Sequence, residues 1–196
     1  MKLNTLEQEK FKELSKDLLN NNEVLKMQDF IQHGKVTTYA HCVDVAKMAL
    51  HLNNVLKMNA DEKTLVEAGM LHDFYLYDWH DSNVKVPLFK MHGFTHAKKA
   101  SKNARELMEV DEKTCKAIES HMWPLTLSSV PLSKEAWLLC IADKICATKE
   151  TVFKRWVLTD LYYILLFYLL LVISMKQLLW VYGVANLKIE VFYMDQ

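Results

Sequence analysis

The stretch Asp61-Glu62-Lys63-Thr64-Leu65-Val66-Glu67-Ala68-Gly69-Met70-Leu71-His72-Asp73 has the period of a helix, and a titratable doublet closes its apolar stripe. Leu65, Ala68, Gly69 and His72 stand at i, i+3, i+4 and i+7, the positions that share one helical face. Asp61 lies where a short acidic side chain caps the first turn. A helix that buries this face also buries His72 and sets Asp73 beside it, so the same residues speak for fold and for chemistry.

Working outward, the period recurs along most of the chain. Thr5 to Gln8 fits a capping box, and Leu6, Phe11, Leu14, Leu18 and Leu19 then form one apolar face. A short helix is expected from Glu23 to Ile31, ending at His33-Gly34, with Thr37 or Thr38 capping a third that turns Cys42, Val45, Ala49, Leu52 and Leu56 inward. Residues 75–94, with Pro87, Gly93 and little periodicity, are expected to form a loop. Thr95 is expected to cap a fifth helix, Asp111 a sixth, and Ser133 a seventh that reaches at least Phe153. The chain has four glycines, and no convincing β alternation precedes residue 186. The expectation is an all-α domain over residues 1–155, with a separate apolar segment at 156–196.

Each of five helices brings one His or Asp to its inward face. His41 shares a stripe with Cys42, Val45, Met48 and Leu52; His96 leads to Ala100, Ala104 and Leu107; His121 follows Thr114, Ala117 and Ile118; Asp143 lies with Ala136, Leu139, Cys140 and Ala147. His72 is the fifth, with Asp73 adjoining. One buried His is commonly a hydrogen-bonded core residue. A buried ionised carboxylate is different, because it costs several kcal/mol unless a cation meets it. No Lys or Arg recurs at these inward positions, and imidazoles with carboxylates are the ligand set of divalent metals.

These same residues carry a family resemblance. His41 in Thr37-Thr38-Tyr39-Ala40-His41, the doublet in Ala68-Gly69-Met70-Leu71-His72-Asp73, and Asp143 in Cys140-Ile141-Ala142-Asp143 fall in the order found in the HD-domain superfamily of metal-dependent phosphohydrolases. His96 and His121 fit the two further histidines of its two-metal members. The run His72-Asp73-Phe74-Tyr75-Leu76-Tyr77-Asp78-Trp79-His80 is similar to that of small bacterial HD proteins. Leu76 stands where the cyclic-dinucleotide branch has a Lys, and no Gly-Tyr-Pro is present, so that branch is a poor match.

The resemblance, over roughly residues 30–155, implies an HD-domain helical bundle and one or two divalent ions drawn from Fe, Mn, Co, Ni, Zn or Mg. It implies that Asp73 bridges, that His41, His72 and Asp143 complete one site, and that His96 and His121 complete the other. Asp73 and His72 are then the catalytic pair, and water activated by metal attacks a phosphomonoester or phosphodiester of a nucleotide-like small molecule. His33, His92, Trp79, His80, Lys144, Lys149 and Arg155 are candidates for substrate contacts, although for each cation a solvated surface position is the plainer explanation. His92, four residues before His96, competes with it as ligand. Two other functions fit the ligand set: a di-iron oxygenase of HD type, and a non-catalytic nucleotide-sensing module, whose mark would be a lost ligand.

Lys plus Arg and Asp plus Glu each number 24, so no basic field points to nucleic acid. Cys42, Cys115, Cys140 and Cys146 form no paired framework and are expected to be reduced thiols, which together with a polar N-terminal stretch suggests a cytoplasmic protein. Leu161 to Ile173 is an unbroken apolar run of 13 residues, about 20 Å as a helix and short of a bilayer core of about 30 Å. Residues 156–185 could serve as a membrane anchor, a self-association helix or a packing helix, or could be foreign to the ancestral domain.

Overall fold

A computed structural model of the chain describes residues 3–78 and 92–152. The chain divides into two units, Met1–Thr151 and Val152–Gln196. The second, with the apolar run and the strand-like end, lies outside the described residues.

The first unit is an all-α bundle. Its elements are α1 (Thr5–Leu19), α2 (Asn22–Leu25), a 3-10 turn (Lys26–Asp29), β1 (Ile31–His33), β2 (Val36–Thr37), α3 (Thr38–Leu56), α4 (Glu62–Leu71), α5 (His92–Met108), α6 (Glu112–Ser120) and α7 (Lys134–Val152). Most helix starts follow from their caps. Thr37, Asp61 and Asp111 accept from the backbone N–H groups of Ala40, Thr64 and Thr114, and Ser133 accepts from Ala136.

Helix α4 is the axis of the bundle, packed against α1, α3, α5 and α6. Its residues Thr64–Val66 and Ala68–Leu71 are all buried. Helix α3 lies so close that a Cβ on Gly69 would come within 2.5 Å of Ala46 Cα, a distance only glycine tolerates. Helix α7 adds Ala136, Leu138, Leu139, Ala142 and Cys146 to the same core. The turn from α3 into α4 is clamped by Asn53, whose amide both donates to and accepts from the backbone of Ala60.

Several local expectations are corrected. The capping box is formed by Asn4 and Glu7, not by Thr5 and Gln8, and Leu6 faces solvent at 75% exposure. Leu56, expected inward, is exposed where α3 ends at the left-handed Lys57. In place of a helix from Glu23 to Ile31 the chain makes one α-turn and one 3-10 turn, then a two-stranded antiparallel hairpin. Gly34, at φ 59°, supplies the left-handed residue of that hairpin turn. Helix α5 already includes His92, so Thr95 is internal rather than its cap. Phe153, the expected minimum reach of α7, lies outside the described residues. Among the described residues no helix is long and apolar enough to cross a membrane.

Candidate metal centre

The helices deliver the inward titratable groups to one place. Asp73 is at its middle, 2% exposed, with its two oxygens facing different histidines. Oδ2 lies 3.4 Å from His72 Nε2 and 4.0 Å from His41 Nε2. Oδ1 lies 3.3 Å from His96 Nε2 and 3.8 Å from His121 Nε2. Asp143, from α7, places Oδ1 3.2 Å from His41 Nε2 and 3.7 Å from His72 Nε2. Two groups thus share one carboxylate: His41, His72 and Asp73, and Asp73, His96 and His121.

The backs of the rings are tied down. Nδ1 of His72 donates to Gly69 O at 2.9 Å, that of His96 to His92 O at 2.8 Å, and that of His121 to Ile118 O at 2.7 Å. A carbonyl only accepts, so each of these Nδ1 atoms donates, and the ring is held with its Nε2 facing the centre. His72 and His121 achieve this alike, each as the C-cap of its helix with Nδ1 on the carbonyl three residues back. His41 differs. Its Nδ1 meets both carboxylate oxygens of Glu150 at 3.0 Å.

The electrostatics call for cations. Burial opposes ionisation of Asp73 and Asp143, yet His72 beside the first and His41 with His72 beside the second hold both well below the usual carboxylate range. Burial also opposes charge on His41, but hydrogen bonds to Asp143 and Glu150 outweigh it and lift its pKa to about 10. His121, buried against His72 and His96, is pushed down to about 3 and is held neutral. Two observations test whether a metal fits. His72 Nε2 and Asp73 Oδ1 are buried with no hydrogen-bond partner. His96 Nε2 and His121 Nε2 stand 3.0 Å apart with both Nδ1 protons spent elsewhere. Imidazole nitrogens and carboxylate oxygens converging in this way, two of them buried without a partner, suit a divalent ion.

Of the residues proposed from sequence, His41, His72, Asp73, His96, His121 and Asp143 come together here. His92 is not one of the residues of the two groups that share Asp73. It stacks on His96 with ring centroids 4.5 Å apart and accepts or donates at Nδ1 to Tyr77 O–H at 2.8 Å. His33 leaves the hairpin with its ring edge on His41, centroids 5.6 Å apart, and burial followed by the nearby His41 pushes its pKa down. Lys144 donates to His121 O at 2.8 Å and stands 3.9 Å from Asp143 Oδ2. Lys149 is exposed on α7. Trp79, His80 and Arg155 lie outside the described residues.

Two partners escaped the sequence reading. Glu150 stands seven residues after Asp143, on the same face of α7, and the stripe that pointed to Asp143 would have found it had it been followed two more turns. Gln32, 7% exposed on β1, donates from Nε2 to Asp73 Oδ2 at 2.5 Å, and no periodicity marks it.

A model of the HD domain matches residues 38–148, more than half of the chain. None of the curated proteins and none of the solved structures compared with the chain matches it. The family model spans His41, His72-Asp73, His96, His121 and Asp143 in the order in which the fold assembles them, and the chain belongs to the HD domain family.

Proposed function

We propose that the chain is a metal-dependent phosphohydrolase acting on a phosphomonoester or phosphodiester of a small, nucleotide-like molecule. The observation that carries this is the pair of His/Asp groups sharing Asp73, with Asp143 Oδ1 3.2 Å from His41 Nε2 beside the first. Divalent ions held there would lower the pKa of water towards neutrality and offset charge gathering on phosphoryl oxygens.

The chain's own part is to orient and to exclude. The Nδ1 hydrogen bonds of His72, His96 and His121 fix the three rings so that each Nε2 faces the site. Asp73 and Asp143 bring two negative charges into a core where only cations relieve them. Lys144, 3.9 Å from Asp143 Oδ2, adds fixed positive charge at the rim. His33, beside His41, and His92, stacked on His96, are proposed as substrate contacts. Trp79, His80, Lys149 and Arg155 remain proposed substrate contacts.

A panel of p-nitrophenyl phosphate, bis-p-nitrophenyl phosphate and nucleotides, run with Mn2+, Co2+, Fe2+, Zn2+, Ni2+ and Mg2+, tests this. Phosphate release or diester cleavage that needs metal supports hydrolysis. Oxygen consumption without phosphate release would favour the oxygenase instead, and tight nucleotide binding without turnover the sensing module.

A further inference from the structure

We propose that Gln32 is a positioning residue for the metal centre: its side-chain amide holds Asp73 so that one carboxylate oxygen serves each histidine pair. This rests on the metal-binding reading of the site. Gln32, which meets Asp73, and Glu150, which meets His41, both lie outside the stretch matched by the family model, residues 38–148.

The chain of contacts is fully buried. Tyr75 O–H donates to Gln32 Oε1 at 2.6 Å, and Thr38 Oγ1 lies 3.3 Å from the same oxygen. Tyr75 is 0%, Thr38 1%, Gln32 7% and Asp73 2% exposed. With Oε1 engaged by hydroxyl protons, Nε2 must face Asp73. The flipped amide would set Oε1 against a carboxylate oxygen, two acceptors in contact. Gln32 contributes little apolar area here, so its place in the core is accounted for by the hydrogen bonds it makes.

The consequence for Asp73 is directional. The terminal torsion of an aspartate is broad and two-fold, and nothing on the short side chain itself fixes it. The Gln32 N–H pins Oδ2, which lies towards His72 and His41, and so leaves Oδ1, without a hydrogen-bond partner, towards His96 and His121. Loss of the amide frees the carboxylate to turn and to chelate on one side only, at the expense of the other ion.

Co2+ alone is the probe, titrated into the full chain and read by its visible absorption and by competition with a chromophoric chelator. Thermal melts of the metal-free proteins report folding. Gln32→Ala should weaken at least one Co2+ by roughly 10- to 100-fold and change the absorption spectrum. Tyr75→Phe keeps the ring, removes the donor that orients the amide, and should move both readouts the same way by less. A folded Gln32→Ala chain that takes up two Co2+ with wild-type affinity and spectrum overturns the proposal. If Gln32→Ala does not fold, the decision passes to Tyr75→Phe, where a change supports it and wild-type behaviour overturns it. Failure of the wild-type chain to take up Co2+ would instead remove the metal reading on which the proposal rests.

Discussion

His96 and His121 point their Nε2 atoms at each other across 3.0 Å while their Nδ1 atoms face the carbonyls of His92 and Ile118. Two ring nitrogens so aligned either share a proton or meet a common cation, and a divalent ion there would be held by both. His121→Ala is therefore expected to lower the ion count from two to one per chain, sparing the site of His41, His72 and Asp143. His92→Ala should leave the count at two, because His92 stacks on His96 and belongs to neither group that shares Asp73. Elemental analysis of the three proteins checks this. An ion lost from His92→Ala but not from His96→Ala would reverse the assignment.

Glu150 presents both carboxylate oxygens to His41 Nδ1 across 109 residues of chain. Such a carboxylate raises the basicity of the ring nitrogen opposite and fixes its tilt. Glu150→Gln keeps shape and one acceptor but removes the charge, and should weaken the ion at His41 by about 10-fold. The ion at His96 and His121 should be unaffected. Chelator competition on the two sites distinguishes this from a general loss of structure, which would weaken both.

Gly69 faces Ala46 at a separation that admits no side chain. Gly69→Ala must push α4 from α3, at a cost of about 1–3 kcal/mol. His72 Nδ1 hydrogen-bonds the carbonyl of this very residue, so metal affinity should fall together with melting temperature. Ala46→Gly in the same chain should rescue little, because the nearest atom is Ala46 Cα rather than Cβ. Full rescue would show that the backbones have room to spare.

The residues gathered around Asp73 were legible in the sequence because each lies on, or just past the end of, the inward face of a helix, where a His or Asp interrupts an otherwise apolar stripe. The helix caps at Thr37, Asp61 and Asp111 were legible for the same local reason. What escaped depends on contacts far apart in the chain. Gln32 sits on a three-residue strand, too short for alternation to register, and meets Asp73 41 residues away. At the N-terminus, Asn4 to Glu7 and Thr5 to Gln8 both satisfy the capping pattern. The first pair wins because Glu7 also turns into the core to meet His51 and Asn54 of α3, which in turn carries Leu6 out to solvent.

That Glu7 carboxylate gives a pH test remote from the metal centre. Burial would raise its pKa, but hydrogen bonds from Asn54 and from the Asn4 N–H, with His51 adjacent, lower it overall. A folded-state pKa below the unfolded value of about 4.3 means that the stabilisation is fully present above that pH and is lost as pH falls through the folded pKa. Glu7→Gln should therefore cost about 1–2 kcal/mol near neutrality, with the difference from wild type shrinking as pH drops below about 4. Melting curves from pH 7 to pH 3.5 measure it. A difference that stays constant would assign the loss to the shape of the cap alone.

Asp73 is the residue common to both groups, and it lies beyond the last residue of α4, Leu71. Elemental analysis of wild-type and Asp73→Ala proteins, purified identically and assayed on the same phosphate-ester panel, tests the central claim most directly. Two divalent ions per wild-type chain, with both metal and hydrolysis lost in Asp73→Ala, is the predicted result. An Asp73→Ala chain that keeps its full metal content and full activity would contradict it.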